Sequence, residues 1–148
     1  MPTATVHDVA AYILRRCGAM TAMKLQKLVY YSQAWSVVWE GRALFDARIE
    51  AWSNGPVVPE LYAVHRGQFM VAAWPLGDSG KLGAEDQGTV VAVCDYYGDK
   101  SPQWLSDLTH AEDPWRNARQ GIPEGERGSV EITLAALEEY YTGLQDRG

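Results

Sequence analysis

Apolar residues recur at helical spacing from the start of the chain. In TVHDVAAYILRRCG, Val6, Val9, Ala10, Ile13 and Leu14 are spaced by threes and fours, Thr5 with Asp8 resembles a capping box, and Gly18 stands where a left-handed terminal residue belongs. This predicts a first helix over residues 6 to 17, with Arg15 and Arg16 in the last turn, where cations suit the dipole. A second, stronger helix follows in TAMKLQKLVYYSQAWSVVWEG: Thr21 caps it, Gly41 ends it, and Leu25, Leu28, Val29, Ser32, Trp35 and Trp39 form one face. Lys24, Lys27 and Tyr31 fall on the neighbouring face, with Tyr30 and Gln33 farther round.

The period then changes. RALFDARIEAW alternates roughly apolar and polar, with Leu44, Ile49 and Trp52 against Asp46, Arg48 and Glu50, which fits short strands or an extended hairpin. WSNGPVVPELY ends it. Asn54-Gly55 is a strong turn signal, Pro56 fixes its own φ and steers Gly55 away from the right-handed helical region, and Pro59 suits the first position of a helix. That third helix is predicted over 59 to 71, with Leu61, Tyr62, His65 and Phe69 on one side.

Residues 72 to 84 contain Pro75 and several glycines and are expected as a surface loop. The next stretch, EDQGTVVAVCDYYG, fits a buried strand through Thr89, Val90, Val91 and Val93, and equally a helix face through 90, 93, 94 and 97. Ser101-Pro102 and Asp113-Pro114 each read as a capping residue followed by a first-turn proline, opening two short helices. GIPEGERGS is a loop, Val130 to Ile132 an extended segment, and Thr133 caps a last helix carrying Leu134, Leu137, Tyr141 and Leu144.

Length and charge narrow the classes. At 148 residues the chain suits one domain, and its six Trp and eight Tyr supply ample material for a core. No apolar run is long enough for a membrane span and the N-terminus lacks a leader pattern, so a cytoplasmic protein is expected. The net charge of −6 is unevenly placed: the first 42 residues hold five basic and two acidic side chains, leaving the remainder strongly acidic. Cys17 and Cys94 have no partner at zinc or disulfide spacing and are expected to pack in the core.

Little in the chain suggests catalysis. His110-Ala-Glu112 has the spacing of a zinc-deaminase His-x-Glu but lacks the Pro-Cys-x-x-Cys that completes the site, so no metal or cofactor is expected. A hydrolase would need His110 with Glu112 or Asp113 in a deep polar pocket. His7 is expected at the surface and His65 in the core. The first two helices could form a helix-turn-helix presenting Lys24, Gln26, Lys27 and Tyr30 to a DNA groove, which makes a small transcriptional regulator the alternative function. Trp35, Val38 and Trp39 make the second helix too apolar for that role, and they favour a core or a protein interface.

Several segments together resemble the Panacea domain family, also called SocA-like or GepA-like antitoxins. They are MKLQKLVY at 23 to 30, GRALF at 41 to 45, and IEAWSNGPV leading into PELY at 49 to 62. Weaker matches are Tyr97-Gly98, Leu105-Ser106, Leu108-Thr109-His110, Pro114-Trp115 and Ile132-Thr133. The resemblance implies a mainly α, compact single-domain helical fold with a small extended β-hairpin between the second and third helices, and a helix after Gly88.

It further implies a non-enzymatic antitoxin of a bacterial or prophage toxin-antitoxin pair, whose partner is a cognate protein toxin. One known type acts as an adaptor that hands its toxin to a protease, which would add a second partner. Some relatives carry an N-terminal DNA-binding domain, for which the five or so residues before the first helix leave no room. The acidic remainder would suit a basic toxin, nucleic acid is not expected as a partner, and an aromatic face could also meet a second copy of the chain. Lys24, Lys27, Tyr31, Asn54, Gly55 and Pro56 are the expected partner-binding residues; Trp52, Tyr62, His110 and Trp115 are expected to hold the fold.

Overall fold

The computed structural model describes residues 4–147, so the expectation about the lead-in before the first helix falls largely outside the described residues. The first helix, α1 (Val6–Cys17), starts as its capping box requires: Thr5 Oγ1 accepts from the Asp8 amide and Asp8 Oδ2 accepts from the Thr5 amide. Asp8 Oδ1 accepts a third bond from the Asp78 amide. Burial pushes the Asp8 carboxyl up, but these hydrogen bonds outweigh it and hold the group below its ordinary value.

A short strand, β1 (Met20–Thr21), leads into α2 (Ala22–Glu40), capped by Thr21 and closed by Gly41 at φ +69°. This helix is the axis of the molecule. Every residue from Leu25 to Ala34 is buried, because the rest of the chain folds around all of its sides. The division into one core face and one neighbouring face therefore does not hold, while Trp39, placed on the core face, is 44% exposed and donates to Gln145. Gln26, Lys27 and Tyr30 are interior, and the Lys24 ammonium donates to the Gly98 carbonyl. Helix α2 thus presents no groove-reading face there.

Residues 43–49 run as irregular chain into β2 (Glu50–Trp52), which pairs antiparallel with β3 (Gly55–Val57), Trp52 facing Gly55. Helix α3 (Pro59–His65) ends six residues before the predicted boundary at 71. Gly67, at φ +86°, turns the chain, and β4 (Met70–Val71) pairs antiparallel with β1, some fifty residues earlier in sequence. Phe69, expected on the apolar side of the helix, is 78% exposed.

The loop that follows is not confined to the surface. Trp74 and Leu82 are buried, and the Trp74 indole donates to His7 Nδ1 at 3.0 Å. His7, expected at the surface, is half-buried and meets Glu60 at 2.9 Å. The stretch that fitted either strand or helix is α4 (Ala84–Tyr97), with Val90, Val93, Cys94 and Tyr97 inside. Cys94 packs in the core as expected; Cys17 does not, since the end of α1 rises into solvent with Arg15 and Arg16.

Ser101 caps α5 (Pro102–Ala111) by accepting from the Trp104 amide. In α6 (Asp113–Ala118) the capping position belongs to Glu112, not Asp113, and the Glu112 side chain turns inward. Ile132 bonds back to Ile49, Thr133 Oγ1 accepts from the Ala136 amide, and α7 (Leu134–Arg147) lies against α2. The result is one contiguous core around α2, mainly helical, with two small strand pairs. Among the described residues no helix is long and apolar enough to cross a membrane.

Candidate functional site

The β2–β3 hairpin turns through Ser53 and Asn54 and brings Gly55 directly over α2. Gly55 has φ +131°, and a Cβ placed on it would lie 2.6 Å from Lys27 Cε, 2.9 Å from Lys27 Nζ and 3.2 Å from Thr109 Oγ1. Only glycine permits this approach, both for backbone angle and for space. Lys27 is thereby roofed by the turn and 1% exposed. Burial lowers its pKa to about 8.

Beside the turn lies a cleft of about 240 Å³ between the hairpin and α3. Met23, Gln26 and Lys27 come from α2, Trp52, Asn54 and Val57 from the hairpin, and Tyr62 and His65 from α3. Trp52 and Tyr62 meet edge to face at 4.9 Å. A shallower groove of about 810 Å³ continues past Trp52 and Tyr62 to Arg66 and Arg127.

Of the residues expected to bind a partner, Asn54 is exposed and Lys24 half-buried, whereas Lys27, Tyr31, Gly55 and Pro56 are buried. The turn gathers Lys27, Asn54, Gly55 and Pro56; Tyr31 lies deeper. Its hydroxyl donates to Glu112 Oε1 at 2.7 Å, as does that of Tyr141 at 2.8 Å, and Tyr30 and Tyr141 share a bond at 3.0 Å. Tyr31 also stacks on Tyr97 at 4.1 Å. Burial pushes the Glu112 carboxyl up, the two phenols pull it back, and burial raises Tyr31 and Tyr141 well above the ordinary phenol value. The cluster joins α2, α4, α6 and α7.

The residues expected to hold the fold surround the hairpin. The Trp115 indole donates to the Trp52 carbonyl at 2.8 Å, and His110 stacks on Trp115 at 4.0 Å. His110 Nε2 is buried without a hydrogen-bond partner. Burial lowers the pKa of this ring; the Asn54 backbone opposes the shift and the Lys27 charge adds to it. Tyr62 is 37% exposed and forms part of the cleft wall. His110 thus faces the turn while Glu112 faces the tyrosines and Asp113 is exposed, so they do not form a hydrolytic site. Among the described residues no group of three or more His, Cys, Asp or Glu could hold a metal ion.

Three important side chains were not singled out for their structural role in the sequence. Gln26 receives the Val58 amide at 2.8 Å and donates to the Val58 carbonyl at 3.2 Å, acting as a strand partner made from a side chain. Gln33 receives the Leu44 and Phe45 amides and donates to the Phe45 carbonyl. Their spacing of seven puts both on one side of a helix, which is the signal that could have found them. Arg119 is buried, donates to the Ala51 carbonyl, and ties the loop carbonyls of Pro123 and Glu126 to the hairpin.

Fold and cleft together define a small helical scaffold that holds a hairpin turn and an aromatic-walled cleft at its surface. The family model described as antitoxin SocA-like, Panacea domain, matches residues 25–116, more than half of the chain. The protein belongs to this SocA-like, Panacea-domain antitoxin family. No curated protein and no solved structure matches the chain.

Proposed function

We propose that the protein is the antitoxin of a bacterial toxin-antitoxin pair, chromosomal or prophage-borne, that acts in the cytoplasm by binding its cognate protein toxin directly. The observation that carries this reading is convergence. Stretches behind the family likeness, around MKLQK, AWSNGPV and PELY, contribute Lys27, Trp52, Asn54 and Tyr62 to one cleft. A wall of Trp and Tyr with a rigid, proline-braced turn suits protein contact, because aromatic anchors contribute most and a rigid loop loses little entropy on binding.

In this reading the six residues act at two depths. Asn54 touches the partner and Lys27 faces it from the floor of the cleft, while Gly55, Pro56, Lys24 and Tyr31 set the surface from behind. Met23 lines the cleft, and Phe69 and Met70 are exposed beside the start of α2. Delivery of the toxin to a protease would call for a further surface, so direct sequestration is the mechanism this cleft supports.

The test is growth of bacterial cells expressing the gene adjacent to this one, with and without this protein. Toxicity relieved by co-expression is the expected result. Toxicity without relief, or none at all, would overturn the proposal.

A further inference from the structure

Lys27 is an ammonium with no counter-charge. Among the described residues no carboxylate lies within ion-pair distance of it. Acids around α2, the hairpin and α5 are engaged elsewhere: Glu112 holds the Tyr31 and Tyr141 hydroxyls, Glu50 the Arg48 guanidinium and the Trp52 indole, and Asp107 the Gln103 amide. Lysines this deep are ordinarily paired, because a lone buried charge loses its hydration without compensation. Beneath the same turn, His110 Nε2 is a buried polar atom without a hydrogen-bond partner.

The surroundings carry the same sign. The groove running on from the cleft contains Arg66 and Arg127, both exposed and unpaired with any described acid, against the single, engaged Glu50. A cationic floor, an aromatic wall and a cationic approach thus coincide on a chain whose net charge is −6.

We infer that this cleft takes a carboxylate side chain, an aspartate or glutamate on an exposed acidic segment of the partner protein, with an adjoining apolar side chain against Trp52 and Tyr62. This rests on the reading of the cleft as the toxin-binding face and specifies its partner's chemistry. The carboxylate supplies the charge that the chain itself withholds from Lys27, and the two arginines steer the acidic segment inward. The overall acidic balance points to a basic partner; at the site, the local charge decides, because screening confines exposed charges to about 8 Å at physiological salt.

The test titrates the full chain with N-acetylphenylalanine, which offers one carboxylate and one aromatic ring, and with its primary amide, following the Lys27 side chain and Trp52 indole by NMR. The acid should shift both sets of signals saturably and the amide should leave Lys27 unmoved. Lys27→Met, whose folding is checked by its thermal transition, should lose the response and bind the neighbouring-gene toxin at least about tenfold more weakly. The paired exposed changes Arg66→Ala and Arg127→Ala should slow toxin association and flatten its salt dependence.

Equal effects of acid and amide, an unmoved Lys27 with the acid, or unchanged toxin affinity in Lys27→Met would each overturn the inference. Toxin relief without any Lys27 effect would leave the antitoxin role standing and remove this site. Carboxylate capture at Lys27 by a protein that relieves no toxicity would do the reverse.

Discussion

Lys27 shows how a single side chain can work against the stability of the fold that contains it. Its pKa falls from the ordinary lysine value to about 8 because burial disfavours the charged form. In the unfolded chain the same group keeps its proton to about pH 10.4. Between these values the unfolded state binds more protons, so stability rises with pH across the window and the full penalty is present below pH 8. Lys27→Met, which keeps the stem and removes the charge, should therefore raise unfolding free energy at pH 7 by about 2–3 kcal/mol. Urea denaturation at pH 7 and pH 10 checks this: the advantage should shrink at the higher pH, and an equal gap at both would contradict it. Sequence spacing could not reveal the burial, because a lysine beside an apolar face is ordinarily solvated. What encloses it is Gly55, twenty-eight positions away in the chain.

Among the elements, helix starts were the most legible because caps are local. Thr5, Thr21 and Ser101 each accept the backbone bond that their sequence context suggests. Ends and ambiguities were settled by distant partners. The apolar pattern of α3 continued to Phe69, yet the chain leaves the helix near Gly67 to pair with Met20–Thr21. The β-branched run in α4 suited two periods, and its contacts with α1 and α2 selected the helix. The glutamines of α2 are the least legible element-level device, since an amide says nothing locally about which segment it will anchor. Gln33→Ala would leave the Leu44 and Phe45 amides and the Phe45 carbonyl without their partner, which should cost about 2–4 kcal/mol. Hydrogen exchange offers a direct check. Faster exchange at those two amides is expected, and unchanged protection would argue that the glutamine is dispensable.

At the scale of the whole molecule, the core depends on chain outside the matched segment. The family match ends at residue 116, but α7 places Leu137 and Tyr141 in the core against α2, and Tyr141 completes the Glu112 cluster. A fragment ending at residue 116 should lose the cooperative thermal transition of the full chain, monitored by circular dichroism; a fragment that melts as sharply would show α7 to be an accessory. The proposed partner face was only half legible from sequence. Turn chemistry marked Asn54, Gly55 and Pro56, and helical spacing placed Lys27 nearby, but nothing local joined Tyr62, Arg66 and Arg127 to the same surface. The glutamine pair has one more consequence. Gln26 and Gln33 grip peptide groups, which nearly all residues carry alike, so the segments at 44–45 and 58 are anchored whatever side chains they bear. Ser53 and Asn54, held between those anchors, are free to vary. If the turn is the binding face proposed above, a lineage built on such a frame can exchange what it presents one letter at a time, without rebuilding what lies beneath.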